Sequence, residues 1–381
     1  MKKSSWYLLI GTLLVTIGMY TLMGWGHKSV KRYITQPTTT RTTTNTDAVY
    51  SLNTFEKTLK RYPSVDVLAL ANDETNDNSH DLTYRDFSII PGLKATTTID
   101  SATGERAMGT AMTPQGVTIA GKYLVTSAYD HDERLNSVLY VQDLKTKRLI
   151  KTVVLQGRPH VGGITYDPNA KQLWVCGRRD NWAEVFAISL KTLESYQLSK
   201  NKPITYSQRA LLGTISRASF ITYHKQSLFV GFFNPRGAGN IQRYLLDKNG
   251  RIQGQSLVGR LSTQVSVLTN AVLRQDTLQK IQGLAFYDGY AILSQSFGPG
   301  RSKLYIFKED PNKTIYHKSD ALTTVTMPSH LEQISNHQGR LYTIYESSAY
   351  AYRKTSHDHI DRVVSLDLKD FITLIKKEVK S

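Results

Sequence analysis

The sequence predicts an all-β protein, a five-bladed β-propeller behind an N-terminal apolar segment and a Thr-rich tether. Two observations predict it. The stretch from Pro114 to Leu155 reads as four short β-rich strands, VTIA, YLVTSAY, SVLYVQDL and LIKTVVL. The breaks between them carry turn residues or charged tips. The same strand–turn–strand pattern then recurs four times, starting HVGGITYDPNAKQLWVCG, ASFITYHKQSLFVGFF, IQGLAFYDGYAILSQS and LEQISNHQGRLYTIYES. A single four-strand meander cannot bury both its faces, so repeated copies must pack on one another.

Taking Gln115, His160, Ser219, Gln282 and Glu332 as equivalent starts, the copies are spaced by roughly 45 to 63 residues. The shorter spacings suit a four-stranded blade and the longer ones a blade with an inserted loop. A six-bladed ring completed by residues 87–113 is the alternative.

In chain order, Lys2 and Lys3 precede an uncharged apolar run, Ser4 to Gly26, long enough to cross a bilayer. It reads either as a retained signal anchor or as a signal peptide cut after Gly26. Residues 1–28 are assigned to this segment and 29–48 to a linker rich in threonine, expected to be solvated. Residues 49–108 form an N-terminal extension. There Asp47 is expected to cap a helix through about Arg61, with Leu52, Phe55 and Leu59 on one face, ended by Pro63. VDVLAL reads as a short buried piece and Asn72 to Asp81 as an exposed loop. FSII and ATTTID are strand candidates, and a strand from this region is expected to complete the last blade. The propeller spans 109–370, and 371–381 form a basic, helical tail. Between the third and fourth copies, Ser266 to Arg274 is expected to be helical and part of an insertion over one mouth.

Composition narrows the function. The chain has 381 residues and a net charge of +17. That charge favours polyanionic surroundings, and the N-terminal apolar run makes anionic cell-wall polymer or phospholipid a better fit than nucleic acid. The basic residues are spread along the chain rather than clustered, which equally suits a surface that only keeps the protein soluble. The single cysteine, Cys176, excludes an intrachain disulfide and any Cys-rich zinc site. No G-x-S-x-G, P-loop or H-E-x-x-H pattern occurs. The contiguous runs Asp130-His131-Asp132-Glu133 and His357-Asp358-His359 lack metal-ligand spacing and read as loop tips. No cofactor is predicted; a Ca²⁺ in the central channel is the open alternative, although no carboxylate cluster stands at the blade starts to hold it.

Chemistry is expected where the copies meet. The strand starts supply Gln115, His160, Ser219, Gln282 and Glu332. The ends of the second strands, with their loops, supply Tyr129, Arg178, Arg179, Arg236, Arg301, Glu346 and Arg353. His160 and Glu332 are the candidate acid/base pair. Gln115, Tyr129, Arg178, Ser219, Arg236, Gln282, Arg301 and Glu346 are the candidate ligand-binding set, the arginines suiting an anion. Whether both rings face one mouth depends on strand direction.

The pattern Gln115-Gly116, YLVTSAY, Ser137, Asp143 to Lys147 and Gly162-Gly163-Ile164-Thr165 resembles secreted bacterial β-propellers of the YVTN/quinoprotein-like kind. It is also similar to the five-bladed glutamine cyclotransferase family. The resemblance implies the fold. The family's Glu immediately before the Gly of the last motif is replaced here, in His160-Val161-Gly162-Gly163, so no reaction is carried over. The resulting expectation is an extracytoplasmic, membrane-anchored propeller that binds a polar or anionic ligand, an envelope polymer or a partner protein, at its channel mouth. Secretion after signal cleavage is the alternative location, and a hydrolase, lyase or cyclotransferase using His160 and Glu332 is the alternative function.

Overall fold

The computed structural model describes residues 41–44, 46–70, 87–257 and 266–378. Within them five sheets carry the blade pattern. Blade 1 is Met112–Ala120, Tyr123–Asp130, Val138–Asp143 and Leu149–Val154, in that order. Blade 2 begins with Ile164–Asp167, Gln172–Arg179, Trp182–Ser189 and Gln208–Leu212. Blade 3 is Phe220–His224, Ser227–Phe232, Gly239–Leu245 and Leu273–Thr277. Blade 4 is Ile281–Tyr287, Tyr290–Gln295, Ser302–Lys308 and Thr323–Met327. Blade 5 is Leu331–His337, Arg340–Tyr345 and Arg362–Asp367, with Ser88–Ile89 as its outer strand.

That last strand pairs antiparallel with Val363 and Arg362, so a segment upstream of blade 1 completes blade 5. The six-bladed alternative does not hold. Thr96–Ile99 and Arg106–Gly109 pair only with each other as a small hairpin.

The core lies between neighbouring blades. Val125, Leu139, Val175 and Phe186 join blades 1 and 2. Val185, Ile221 and Val230 join blades 2 and 3, and Phe220, Ile241, Leu293 and Tyr305 join blades 3 and 4. Alternation along each strand puts apolar residues on both faces because each blade is covered on both sides.

The innermost strands approach so closely that glycine is required at three positions. A Cβ built on Gly116 would lie 3.0 Å from Ile164 N, one on Gly163 would lie 2.7 Å from Ile221 N, and one on Gly283 would lie 2.9 Å from Ile334 N. These contacts define the true register of the repeat. Gly163, three places after His160, corresponds to Gly116 and Gly283, rather than Val161 one place after it, and Gln333 occupies that place in blade 5. His160 therefore sits upstream of its expected position, in the loop leading into blade 2.

Several local expectations are corrected. The helix starts at Leu52, not at Asp47, and runs Leu52–Leu59 with Ser51 as its cap, accepting from Thr54 N. Asp47 instead accepts from Thr44 N at 2.7 Å. Pro63 opens a second helix, Pro63–Leu70, because a proline at a first helical turn lacks only an N–H that would go unbonded there. Thr42 and Thr43, placed in the solvated linker, are buried, and Thr43 N donates to Ala95 O at 2.9 Å. Ser266 to Arg274 is not helical. Ser266–Thr269 pairs in parallel with Gln208–Leu212 and antiparallel with Gln255–Ser256. The blade 3 insertion thus widens blade 2, as its Ser-Val-Leu-Thr composition allows. The tail is helical, Leu368–Glu378, with Phe371 and Ile372 buried.

The expected membrane segment, Ser4 to Gly26, and the loop Asn72 to Asp81 lie outside the described residues. Among the described residues no helix is long and apolar enough to cross a membrane.

Candidate functional site

Antiparallel pairing of the first two strands of each blade places the start of one beside the end of the other. Both predicted rings therefore open on the same mouth. There a cavity of about 490 Å³ is lined by residues from all five blades. Gln115, Tyr129, His160, Arg178, Ser219, Gln282, Glu332 and Glu346 all face it. Two predicted residues do not. Arg236 is exposed on a loop whose backbone is held by Asn234, and Arg301 stands over the Tyr62 ring at 5.8 Å in a separate groove. Early residues of both loops, Phe233 and Phe297, line the cavity while the arginines further along do not, so repeat position alone misplaced them. Arg179 and Arg353 are likewise used elsewhere, by Glu184 and by Leu93 O.

Backbone irregularities aim the polar groups. The strand register shifts between Pro114 and Gly116, between Ile281 and Gly283, and between Leu331 and Ile334. Gln115, Gln282 and Glu332 occupy these bulges, and a bulge re-aims a side chain that would otherwise follow the strand's alternation. Two places earlier, Lys280 and His330 both take φ of +62°. Each offers its carbonyl to the end of the neighbouring strand, Lys280 to Ser296 N and His330 to Glu346 N. Val161, beside His160, is a β-branched residue at φ +50°. Left-handed backbone costs about 1–2 kcal/mol per such residue.

Gln333 closes the axis below the cavity. Its Oε1 accepts from Val117 N and Ile164 N, and its Nε2 donates to Ile164 O and Ile221 O, at 2.7–3.1 Å. One amide thereby ties blade 5 to blades 1, 2 and 3.

The two carboxyl groups form the electrostatic centre. Glu332 is 5% exposed, and its Oε1 accepts from Gln282 Nε2 at 3.3 Å. Burial, and then the nearby Glu346 charge, raise its pKa well above the usual carboxylate range. Glu346 accepts from Gln115 Nε2 at 3.3 Å and lies 3.4 Å from His330 Nδ1. His160 packs its ring on Tyr129 with centroids 4.1 Å apart. Burial holds His160 below its ordinary pKa, opposed by Glu346 and assisted by His131 and Arg217. Tyr129 is pushed up by burial and by the neighbouring Tyr352 and Glu346, so it stays neutral. The partner that shapes the Glu332 proton is Glu346, rather than His160.

Sequence reasoning missed Arg217, Phe233, Phe297 and Tyr352 in the lining, and His330 and Gln333 behind it. Only Gln333 had a signal, since it falls where other copies have glycine. The two contiguous runs read as loop tips each bury a carboxylate that serves the fold, Asp130 and Asp358. Asp130 accepts from Arg134 N and Leu135 N, and Asp358 accepts from Arg61, Tyr62 and Ser329 N. Among the described residues no group of three or more His, Cys, Asp or Glu is placed to hold a metal.

No family model and no curated protein matches the sequence. Among solved structures, the chain is similar to a glutaminyl cyclase from Myxococcus xanthus, at 10% identity, over 68% of this chain and 92% of that one, with a TM-score of 0.41. It is also similar to hydrazine synthase from Kuenenia stuttgartiensis, at 9% identity over 61% and 55% of the two chains, TM-score 0.33. A chain of a nidogen/laminin complex gives 13% identity over 72% and 89%, TM-score 0.33. The propeller itself is read from the strand order described above.

Proposed function

We propose that the protein is a ligand-binding propeller which takes a small polar molecule, or the polar end of a larger one, into its mouth cavity. The observation that carries this is convergence. Gln115, His160, Ser219, Gln282 and Glu332 reach one cavity from five blades, and three of them do so through bulges. Cavities of this size with a few convergent polar groups are the common form of small-molecule sites. The apolar run at Ser4 to Gly26 supports an extracytoplasmic location on a membrane anchor, and the charge of +17 supports anionic surroundings such as envelope polymer.

The test is a thermal-shift screen of polar metabolites and envelope-polymer fragments on wild type and on Gln282→Ala. A ligand at about 100 times its Kd stabilises by about 2.7 kcal/mol. Stabilisation that disappears in Gln282→Ala supports the reading. Ligands that stabilise both proteins equally place binding elsewhere and sink it.

A second reading is favoured by the Glu332–Glu346 pair. Two carboxyl groups whose environments differ are suited to acid and base roles. Glu332 would donate a proton to an oxygen or nitrogen of the ligand, and Glu346 would accept one. On this reading Glu332→Gln abolishes turnover of a bound ligand while leaving its affinity within about tenfold. Turnover that survives Glu332→Gln would remove it.

A further inference from the structure

The cavity is electrically polar along its depth. The Glu346 side chain is 13% exposed, and its hydrogen bonds with Gln115 and His330 are long, at 3.3 and 3.4 Å. An ionised carboxylate offers about four acceptor sites, so capacity remains for a donor from a ligand. Arg217 lines the wall, is exposed, and has no hydrogen-bonded or ion-paired partner among the described residues. Arg178 is different, because its guanidinium is already used by Asp180 O and Asn181 Oδ1, at 2.6 and 2.9 Å. His160 feels both charges at once, Glu346 and Arg217 acting on it in opposite directions. Both therefore bear on the same part of the cavity. Phe233 and Phe297 also line it, with ring centroids 6.0 Å apart and Phe297 57% exposed. They supply an apolar wall.

We infer that the cavity selects a dipolar ligand, with an ammonium or similar cationic donor turned in to Glu346, an anionic group turned out to Arg217, and an apolar body against Phe233 and Phe297. A ligand with one charge satisfies one of these two side chains and desolvates the other without compensation. A ligand with both charges satisfies both. This inference rests on the cavity being the binding site, and it adds the class and the orientation of what binds.

The test is calorimetric titration of the full chain with linear ω-amino acids of roughly three to six carbons, against the matched n-alkylamines and n-alkanoates. One amino acid is expected to bind at least about tenfold tighter than its matched amine or acid, its length reporting the span between the charges. Arg217→Ala should reduce its affinity to that of the amine. Glu346→Gln, which keeps the shape of the side chain, should reduce it to that of the acid. Arg217 is exposed, so its removal leaves the fold intact, and far-UV melting of both variants checks this. If an amine or an acid matches the amino acid, or if no amino acid binds at about 10 mM, the inference is overturned. Binding of an amine that is lost in Glu346→Gln overturns only the dipolar preference. An amino acid that binds regardless of Glu346→Gln, Arg217→Ala and Gln282→Ala lies outside the cavity and overturns the binding-site reading as well.

Discussion

The side-chain amide of Gln333 pairs with both polar groups of the Ile164 backbone, accepting from its N–H at 2.9 Å and donating to its carbonyl at 2.7 Å. A side chain from blade 5 thus completes hydrogen bonding on the innermost strand of blade 2, on the propeller axis. The remaining capacity of the amide goes to Val117 N and Ile221 O. Replacing Gln333 by Leu leaves those buried backbone groups unpartnered. Each such loss costs about 1–3 kcal/mol, so a total on the order of 4 kcal/mol is expected, read as a lower urea midpoint. A midpoint unchanged from wild type would show that the axis is not held by this amide.

Gly116 makes room for the same amide. A Cβ there would lie 2.8 Å from Gln333 Oε1 and 2.7 Å from Ser127 Oγ. At Gly163 the obstructing atoms are the backbone of Phe220 and Ile221, at 2.7–3.0 Å, which cannot swing aside. Gly116→Ala is expected to destabilise by about 1–2 kcal/mol and Gly163→Ala by about 3 kcal/mol or more. The ordering is the check, measured by thermal melting of the two variants side by side.

The protonation of Glu332 has a readable consequence for stability. Its folded pKa is raised by burial and by Glu346. A raised folded pKa means that its contribution is fully present below the unfolded value of about 4.3 and is lost as pH rises through the folded value. Glu332→Gln carries no ionisable group there. The variant should match wild type near pH 4 and melt progressively higher than wild type as the pH is raised toward 9. Parallel melting curves across that range would mean that Glu332 ionises normally in the fold.

Asp361 fastens the N-terminal extension to blade 5. Its carboxylate accepts from Val49 N at 2.7 Å and Tyr50 N at 2.9 Å, and it pairs with Arg362 while fully buried. Asp361→Ala leaves the Arg362 charge buried and uncompensated, a loss of about 3–5 kcal/mol. Hydrogen exchange should quicken first at Val49 and Tyr50. Exchange that quickens evenly over the whole chain would show that the contact is no separate latch.

Cys176 serves as a reporter of unfolding. It is buried in the second strand of blade 2, and burial pushes its thiol up, far from the reactive thiolate. An aromatic disulfide reagent should label it on the order of a thousandfold more slowly in buffer than in denaturing urea. Fast labelling in buffer would place the thiol at the surface.

The blade count was legible because strand alternation and turn residues are local features. YLVTSAY and SVLYVQDL can hardly be read otherwise, and the need for a borrowed strand followed from blade 5 running short after RVVSLDL. Eight of the predicted mouth residues face the cavity, because the repeat brings strand starts and second-strand ends to one mouth, and His160 reaches it from the loop that leads into blade 2. Arg236 and Arg301 do not, because loops obey no such period. The misreading of Ser266 to Arg274 has a related cause. Whether that segment is helix or strand was decided by the open edge of blade 2 at Gln208–Leu212, which lies more than 50 residues away in the chain.

By itself the sequence determined that five strand-rich units exist, where each begins and ends to within a few residues, and that polar residues stand at their starts. Those are consequences of short-range hydrophobic period and turn chemistry. The tertiary structure decided which of those residues meet. Bulges at Gln115, Gln282 and Glu332 and left-handed backbone at Lys280 and His330 turn side chains off the strand alternation. Pairing of Leu331 with Tyr345 in the first hairpin of blade 5 sets Glu346 near Glu332, and burial together with that neighbour holds the Glu332 proton. Only closure of the ring adds their partners from other blades, Gln282 Nε2 to Glu332 and Gln115 Nε2 to Glu346, because those contacts depend on distance across blades and not on spacing along the chain.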